Sequence, residues 1–447
     1  MTKQKEKKKA SIVKKMMIAV VAGFVVGFIC LLIKSAVMGT DGEGAWKVVE
    51  AILFQDITAT KDIEGLGLFY IVGQLFMKGL QMMIVPLVLC SLTLALCSLA
   101  NPKKLGRIAG KTFVSYLCFY IVAAALAGAA AYLAKSLGWF TVNLPAQQAQ
   151  DIVTMENAVP SNMINAMSSN NTILCVVVIA IIFGLCMTKM GEKADPLKKV
   201  FENINDIVQM FLNFLINKIA PIAIFCMIVR ALAVYGIEYI SPTMMWIVVT
   251  IVVSLLLVCT IYPIGIFITT GLNPFIFLKK AAKIGMFAAA TNSSAATLPL
   301  NKETCINELG CSEEISSFVL PTGMTINMNG TTAMHMIAIT FIATAAGVNI
   351  TPATLCLTAF LSICTAVGTP AIPVAGTTMV YVVMMGLGLN SDLCMIGYSL
   401  ILAMNYLPGM AVITLNVIGD AATNVIVCAK EHCLNKEIYN SKTPKNN

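Results

Sequence analysis

Charge is the scarcest property of this 447-residue chain. Asp, Glu, Lys and Arg make up 12% of it and hydrophobic residues 58%, whereas soluble domains carry about 25% charged residues. From Ile315 to Ser391 there is no Asp, Glu, Lys or Arg. That composition excludes an ordinary soluble domain. Short alternating strands are absent, which argues against a membrane β-barrel. The 15 cysteines form no Cys-x-x-Cys pair and scatter through apolar runs. They read as small buried apolar residues, not as disulfides or zinc ligands. No Ser/His or Asp/Asp pair falls at helical spacing, so an intramembrane hydrolase lacks its nucleophile and base. No small-x-small cleavage site follows the apolar stretch 17–33, which is also longer than a signal-peptide core.

Long apolar runs dominate what remains, and runs of about 20 residues span a bilayer as helices. Candidate spans are 11–36, 65–100, 105–138, 172–190, 200–236 and 241–272. The net charge of +8 does not point to nucleic acid. Much of it lies in Lys3, Lys5, Lys7, Lys8, Lys9, Lys14 and Lys15, with a second cluster at Lys103, Lys104, Arg107 and Lys111. Basic segments beside spans mark the cytoplasmic side, and two intervening spans put both clusters there. The tail after Lys430 is polar and is expected to fray.

Beyond residue 272 the pattern changes. The region 275–309 is broken by Thr291-Asn292-Ser293-Ser294-Ala295-Ala296-Thr297-Leu298-Pro299, and 351–389 by the stretch Gly368 to Gly376. A helix at 313–326 runs into Asn327-Met328-Asn329-Gly330-Thr331. Such patches free backbone groups that must be buried in protein or line a cavity. Two of them in corresponding positions point to the substrate site of a secondary transporter, each a helical hairpin with its tip in mid-membrane. The last helix, 391–430, carries Asp420, the only ionised side chain between Asp392 and Lys430. A membrane-buried carboxylate costs at least about 2.5 kcal/mol. With no Lys or Arg in the segment, a bound cation is its expected partner.

These residues resemble the motifs of the dicarboxylate/amino acid:cation symporters, the glutamate and neutral amino acid transporter family. Residues 292–299 look like the serine-rich tip of its first re-entrant hairpin, 327–331 like its N-M-D-G-T signature, and 368–376 like its second hairpin tip. Residues 416–420 match the N-V-x-G-D of its last helix. Tyr116, Ala220-Pro221-Ile222 and Leu105-Gly106-Arg107 fall at comparable places. The resemblance implies an all-α polytopic membrane protein with eight transmembrane helices plus two re-entrant hairpins, a homotrimer working as an elevator. Its divisions would be a basic N-terminus (1–10), scaffold helices 1–2 (11–100) and helix 3 of the transport domain (105–138). Scaffold helices 4–5 (139–236), a transport core (241–430) and a cytoplasmic tail (431–447) would follow. Within the core come helix 6, hairpin 1 (275–309), helix 7 (313–347), hairpin 2 (351–389) and helix 8 (391–430).

Carried over residue by residue, the resemblance implies one sodium site at Asp420 with carbonyls of Gly323, Asn327 and Asn416. A second would use carbonyls of Thr325, Ala366, Val367 and Thr369. Substrate would lie among Ser293, Ser294, Thr331, Ile372, Gly376, Gly409, Val412, Ile413 and Asn416. The chain also departs from the pattern. Asn329 stands where the signature has aspartate, and Phe119-Tyr120 where the family has Thr-Ser, so a third sodium site is not expected. Gly409 replaces the aspartate that holds a substrate amino group. Val412 replaces the arginine that pairs with an acidic side chain, and Ile413 the threonine after it. Asn405, one turn before Gly409, is a partial substitute for the lost aspartate.

The expectation is therefore sodium-coupled symport, with at most two sodium ions, of a solute bearing one carboxylate: a neutral amino acid or related organic acid. The chain would be multi-pass in the plasma membrane with both termini cytoplasmic. Lipid, sodium and a small solute are its expected partners, and no nucleic acid. His335, just after the signature, titrates near neutral pH and keeps proton coupling open. A non-transporting membrane sensor is the alternative from another class.

Overall fold

The computed structural model describes residues 2–57, 65–99, 106–142, 159–238, 240–369 and 375–441, without side-chain detail for 2–14, 98, 99, 171 and 392. Ile372 and the basic residues Lys103 and Lys104 lie outside them. The described residues are helical with no strand. In order they form α1 (Thr2–Val37), α2 (Glu43–Leu53), α3 (Leu68–Met82), α4 (Ile84–Leu99), α5 (Gly106–Ser136) and α6 (Met163–Met167). Next come α7 (Ile173–Met190), α8 (Asp195–Phe214), α9 (Ala220–Tyr235), α10 (Ile240–Thr270), α11 (Pro274–Thr291), α12 (Ser294–Asn307) and α13 (Glu313–Ile326). The chain ends with α14 (Asn329–Ala345), α15 (Pro352–Val367), α16 (Ala375–Gly386), α17 (Asp392–Met404), α18 (Tyr406–Lys430) and α19 (Lys436–Asn440).

Six helical segments among the described residues are long and apolar enough to cross a membrane: Lys15–Val37, Leu68–Cys97, Gly106–Ser136, Ile173–Tyr235, Ile240–Thr270 and Tyr406–Lys430. The protein is an integral membrane protein. α1 turns Ile18, Val21, Val25 and Leu32 outward, as a lipid-facing helix does. In α18, by contrast, 94% of the most apolar stretch is buried. Helices enclosed by other helices can carry polar groups that lipid would not tolerate, and the polar residues concentrate there.

Packing separates two groups. α1 and α3 pack on α9, and α4 packs on α7 and α8. α10, α11, α13 and α14 pack around α18, and α5 lies against α14. α11 and α12 form one hairpin, and α15 and α16 pack as another.

α1 is helical from Thr2. α7 matches the expected span 172–190 and ends at Gly191 (φ +59°), and the following amphipathic α8 is joined to α9 by a π-helical turn at Leu215–Ile219. One sequence reading needs correction: the tail is not frayed up to Ser441. Asn435 caps α19 and donates its backbone N–H to the Gly310 carbonyl at 2.8 Å. Tyr439 is fully buried and its hydroxyl donates to the Asn273 carbonyl at 2.9 Å. Lys280 of α11 donates to the carbonyls of Glu308, Ile438 and Tyr439 at 2.7–2.9 Å. α19 thus straps the base of the first hairpin.

Candidate functional site

Four chain breaks meet in the buried interior. At the α11–α12 tip, Asn292 adopts a left-handed conformation (φ +46°), and Ser293 caps α12 by accepting the Ala296 N–H at 3.3 Å. α13 and α14 are separated at Asn327-Met328, neither of which is helical. The second hairpin breaks after Val367, and α16 resumes at Ala375. α17 and α18 part at Asn405, with Pro408 just inside α18.

These breaks surround one small cavity of about 50 Å³. The expected residues Ser293, Ser294, Thr331 and Gly376 line it, and Gly409, Val412, Ile413 and Asn416 line it from α18. Asn416 fixes the signature loop. Its Oδ1 accepts the Gly330 N–H at 2.7 Å, and its Nδ2 donates to Thr331 Oγ1 at 3.3 Å. Glycine is required at 330 because a Cβ there would run into the Val412 carbonyl. The cavity also includes Asn292, Met328, Met334, Thr377 and Asn405, and Thr369 from the expected second cation set. Asn405 was legible from its spacing to Gly409. Met334 could have been found from its place three residues after Thr331, whereas nothing in the sequence marks Thr377. Among the described residues, no lining residue is Asp, Glu, Lys, Arg or His.

Asp420 lies one turn past Asn416 and is 3% exposed. Its Oδ1 accepts Asn327 Nδ2 at 2.8 Å, and no Lys or Arg among the described residues pairs with it. A Cβ at Gly323 would collide with Asp420 Oδ1 and the Tyr116 hydroxyl, so Gly323, Asn327 and Asp420 converge as expected. Asn416, the fourth member, spends its side chain on the Gly330 loop. Asn327 Oδ1 and Asn329 Oδ1 are buried acceptors with no hydrogen-bond partner. A buried carboxylate beside the orphaned Asn327 oxygen suits a hard cation. Of the second set, Ala366, Val367 and Thr369 sit at the hairpin break. Ala366 and Val367 pack with Tyr120 and Met328, whereas the Thr325 side chain is exposed.

Comparison with known proteins fits this arrangement. The family model described as the sodium:dicarboxylate symporter family matches residues 12–430. The chain belongs to that family. Sodium:dicarboxylate symporters are transporters and not enzymes, and sodium coupling is general among them. Relatives include the proton/sodium-glutamate symport protein of Bacillus caldotenax, 24% identical over 82% of this chain and 88% of that one. Excitatory amino acid transporter 2 of Mus musculus is 28% identical over 78% and 71%. The C4-dicarboxylate transport protein of Cupriavidus pinatubonensis is 25% identical over 81% and 86%.

Against this family's pattern, the region of the altered signature is filled with neutral groups. Asn329 Nδ2 donates to the Tyr262 hydroxyl at 3.2 Å, and Tyr262 donates on to the Leu415 carbonyl at 2.9 Å. Phe119 sits edge-on against Tyr262, with centroids 5.0 Å apart. Tyr120 donates to the Ile326 carbonyl and accepts the Met328 N–H at 2.7 Å. The Ile326 carbonyl freed by the helix break is thus satisfied by the Tyr120 phenol.

Proposed function

We propose that this symporter couples sodium to the movement of a small solute with one carboxylate and a neutral or apolar remainder: a neutral amino acid or related organic acid. The observation that carries the reading is the absence, among the described residues, of any ionisable side chain from the cavity lining. A second carboxylate buried there would have no counter-charge, and unpaired buried charge is expensive. One carboxylate can be met by the Ser293-Ser294 tip, Thr331 and Asn416, with N–H groups at the start of α12 adding dipolar support. Val412, Ile413 and Met334 offer an apolar wall to the rest of the solute. Sodium would sit at Asp420 with carbonyls of Gly323, Asn327 and Asn416, and a second ion at carbonyls of Thr325, Ala366, Val367 and Thr369. The phenol-filled region around Asn329 supports a limit of two.

The packing division suggests the working parts. α1–α4 and α7–α9 would be the scaffold. α5 and α10–α18 would be the transport domain, its two hairpins re-entrant, moving as an elevator in a trimer. Both termini would face the cytoplasm across a plasma membrane.

Uptake into proteoliposomes tests the reading. A sodium gradient should drive accumulation of alanine- or lactate-sized monocarboxylates, and glutamate should not compete. Sodium-independent accumulation would refute it. Proton coupling is a second reading, favoured by His335: buried, its Nε2 lies 2.8 Å from the carbonyl of Gly376, a cavity residue. Accumulation driven by a pH gradient alone would support that alternative.

A further inference from the structure

Two polar atoms in the wall of the solute cavity are buried without a partner. Asn405 is 7% exposed and Thr377 1%, and both line the cavity. Asn405 Oδ1 and Thr377 Oγ1 make no hydrogen bond among the described residues. Pro370-Ala371-Ile372-Pro373-Val374, the stretch between Thr369 and α16, has no polar side chain in its sequence to offer them. A buried polar atom left unpaired is costly, so the occupant of the cavity has to supply what is missing. Asn405 Oδ1 is an acceptor and needs a donor, whereas the Thr377 hydroxyl can give or take a proton.

The wall at Gly409 narrows the choice of donor. A Cβ there would meet Asn405 Nδ2 at 3.4 Å and both Asn292 Nδ2 and Asn292 Oδ1 at 3.6 Å. The space that Gly409 leaves open is therefore edged by amide donors as well as acceptors. An ammonium has N–H donors and no acceptor. It would be set against two amide NH2 groups, with no carboxylate among the described lining residues to offset its charge. A hydroxyl donates one proton and accepts at its lone pairs, so it can satisfy Asn405 Oδ1 and an amide nitrogen together. Asn405 thus takes the place of the lost aspartate without its charge. Gly409 and Asn416 stand about two turns apart on one face of α18, so this group and the carboxylate are met from different turns of the helix.

We propose that Asn405, with Asn292 and Thr377, forms a hydroxyl-recognising subsite, and that the solute is a hydroxy monocarboxylic acid in preference to its amino counterpart. The inference rests on the one-carboxylate reading above and narrows it to the organic acids. A solute that displaces water from these atoms must reproduce the hydrogen bonds of that water or lose affinity, and a hydroxyl reproduces them where a methyl group does not.

Ligand-dependent melting of the full chain in sodium provides the test, with propionate, lactate, 3-hydroxypropionate and alanine as probes. One of the two hydroxy acids should half-saturate at least about tenfold below propionate and alanine. Lactate as the better ligand assigns the hydroxyl to the carbon beside the carboxylate, and 3-hydroxypropionate assigns it to the next carbon. Asn405→Leu removes the acceptor at similar size and should bring the hydroxy acid to within about twofold of propionate. Asn405→Asp keeps the shape, restores a charge and should move the preference to alanine, which tests the subsite even if the leucine variant fails to fold. Equal binding of propionate and both hydroxy acids, a wild-type preference for alanine, or an unchanged preference in Asn405→Asp would overturn this inference and leave the one-carboxylate reading standing. No shift with any of the four probes would overturn both.

Discussion

Asp420 takes its meaning from its neighbours. Asn327 donates to it, Gly323 leaves it room, and no basic residue among those described pairs with it. Asp420→Asn is therefore expected to fold and to lose sodium-dependent uptake and sodium-dependent thermal protection; full sodium-driven uptake by the variant would exclude the site. Val412 is the complementary case. It lines a cavity without charge, so Val412→Arg should let a dicarboxylate compete for uptake where wild type ignores it, as competition with labelled solute would read. Asp420 was legible because a lone acid in an apolar segment is conspicuous by itself. Tyr262 was not. It is one aromatic residue in an apolar helix, and only the fold brings its hydroxyl to Asn329 and Leu415.

Among the elements, the broken helices were legible and the strap was not. Ser, Asn, Gly and Pro patches stand out against apolar sequence, so both hairpins could be placed from sequence. α19 has five residues and one aromatic anchor, and no periodicity distinguishes it from a polar tail. Tyr439→Ala removes a fully buried ring and should cost about 3 kcal/mol, at the lower end for large aromatic truncations. Lowered melting temperature and faster proteolysis near residue 435 would report it. Gly310, at φ +72°, closes against the Asn435 carbonyl, so Gly310→Ala should release the same strap. At the end of α18, Glu431 bridges Lys111 at 2.8 Å and Arg107 at 2.5 Å. Hydrogen bonds from these two groups hold its carboxylate below the usual range. A lowered folded pKa stabilises above the unfolded value of about 4.3, and that support is lost as pH falls through the folded value. Glu431→Gln should therefore flatten the acid limb of the stability profile below about pH 4, as melting against pH would show.

In the whole molecule, outer helices turn apolar residues outward while α14, α16 and α18 are enclosed with their polar groups. Composition predicted this class of protein, but not that the polar stretch at 191–199 turns at Gly191 and opens the amphipathic helix α8, since it looks like a loop. The phenol-filled third region sets a kinetic expectation: initial uptake should rise with no more than about the second power of sodium concentration. A third-power dependence in proteoliposomes would contradict it. The strap also bears on biosynthesis. Lys280 finds two of its three carbonyl acceptors in Ile438 and Tyr439, 158 and 159 residues downstream. At about 5–20 residues per second, the ribosome takes roughly 8–32 s to supply them. Until then the Lys280 ammonium has only the Glu308 carbonyl of those three. A chain stopped short of Ile438 never closes the strap, so the first hairpin's base is completed only after the last membrane helix has been made.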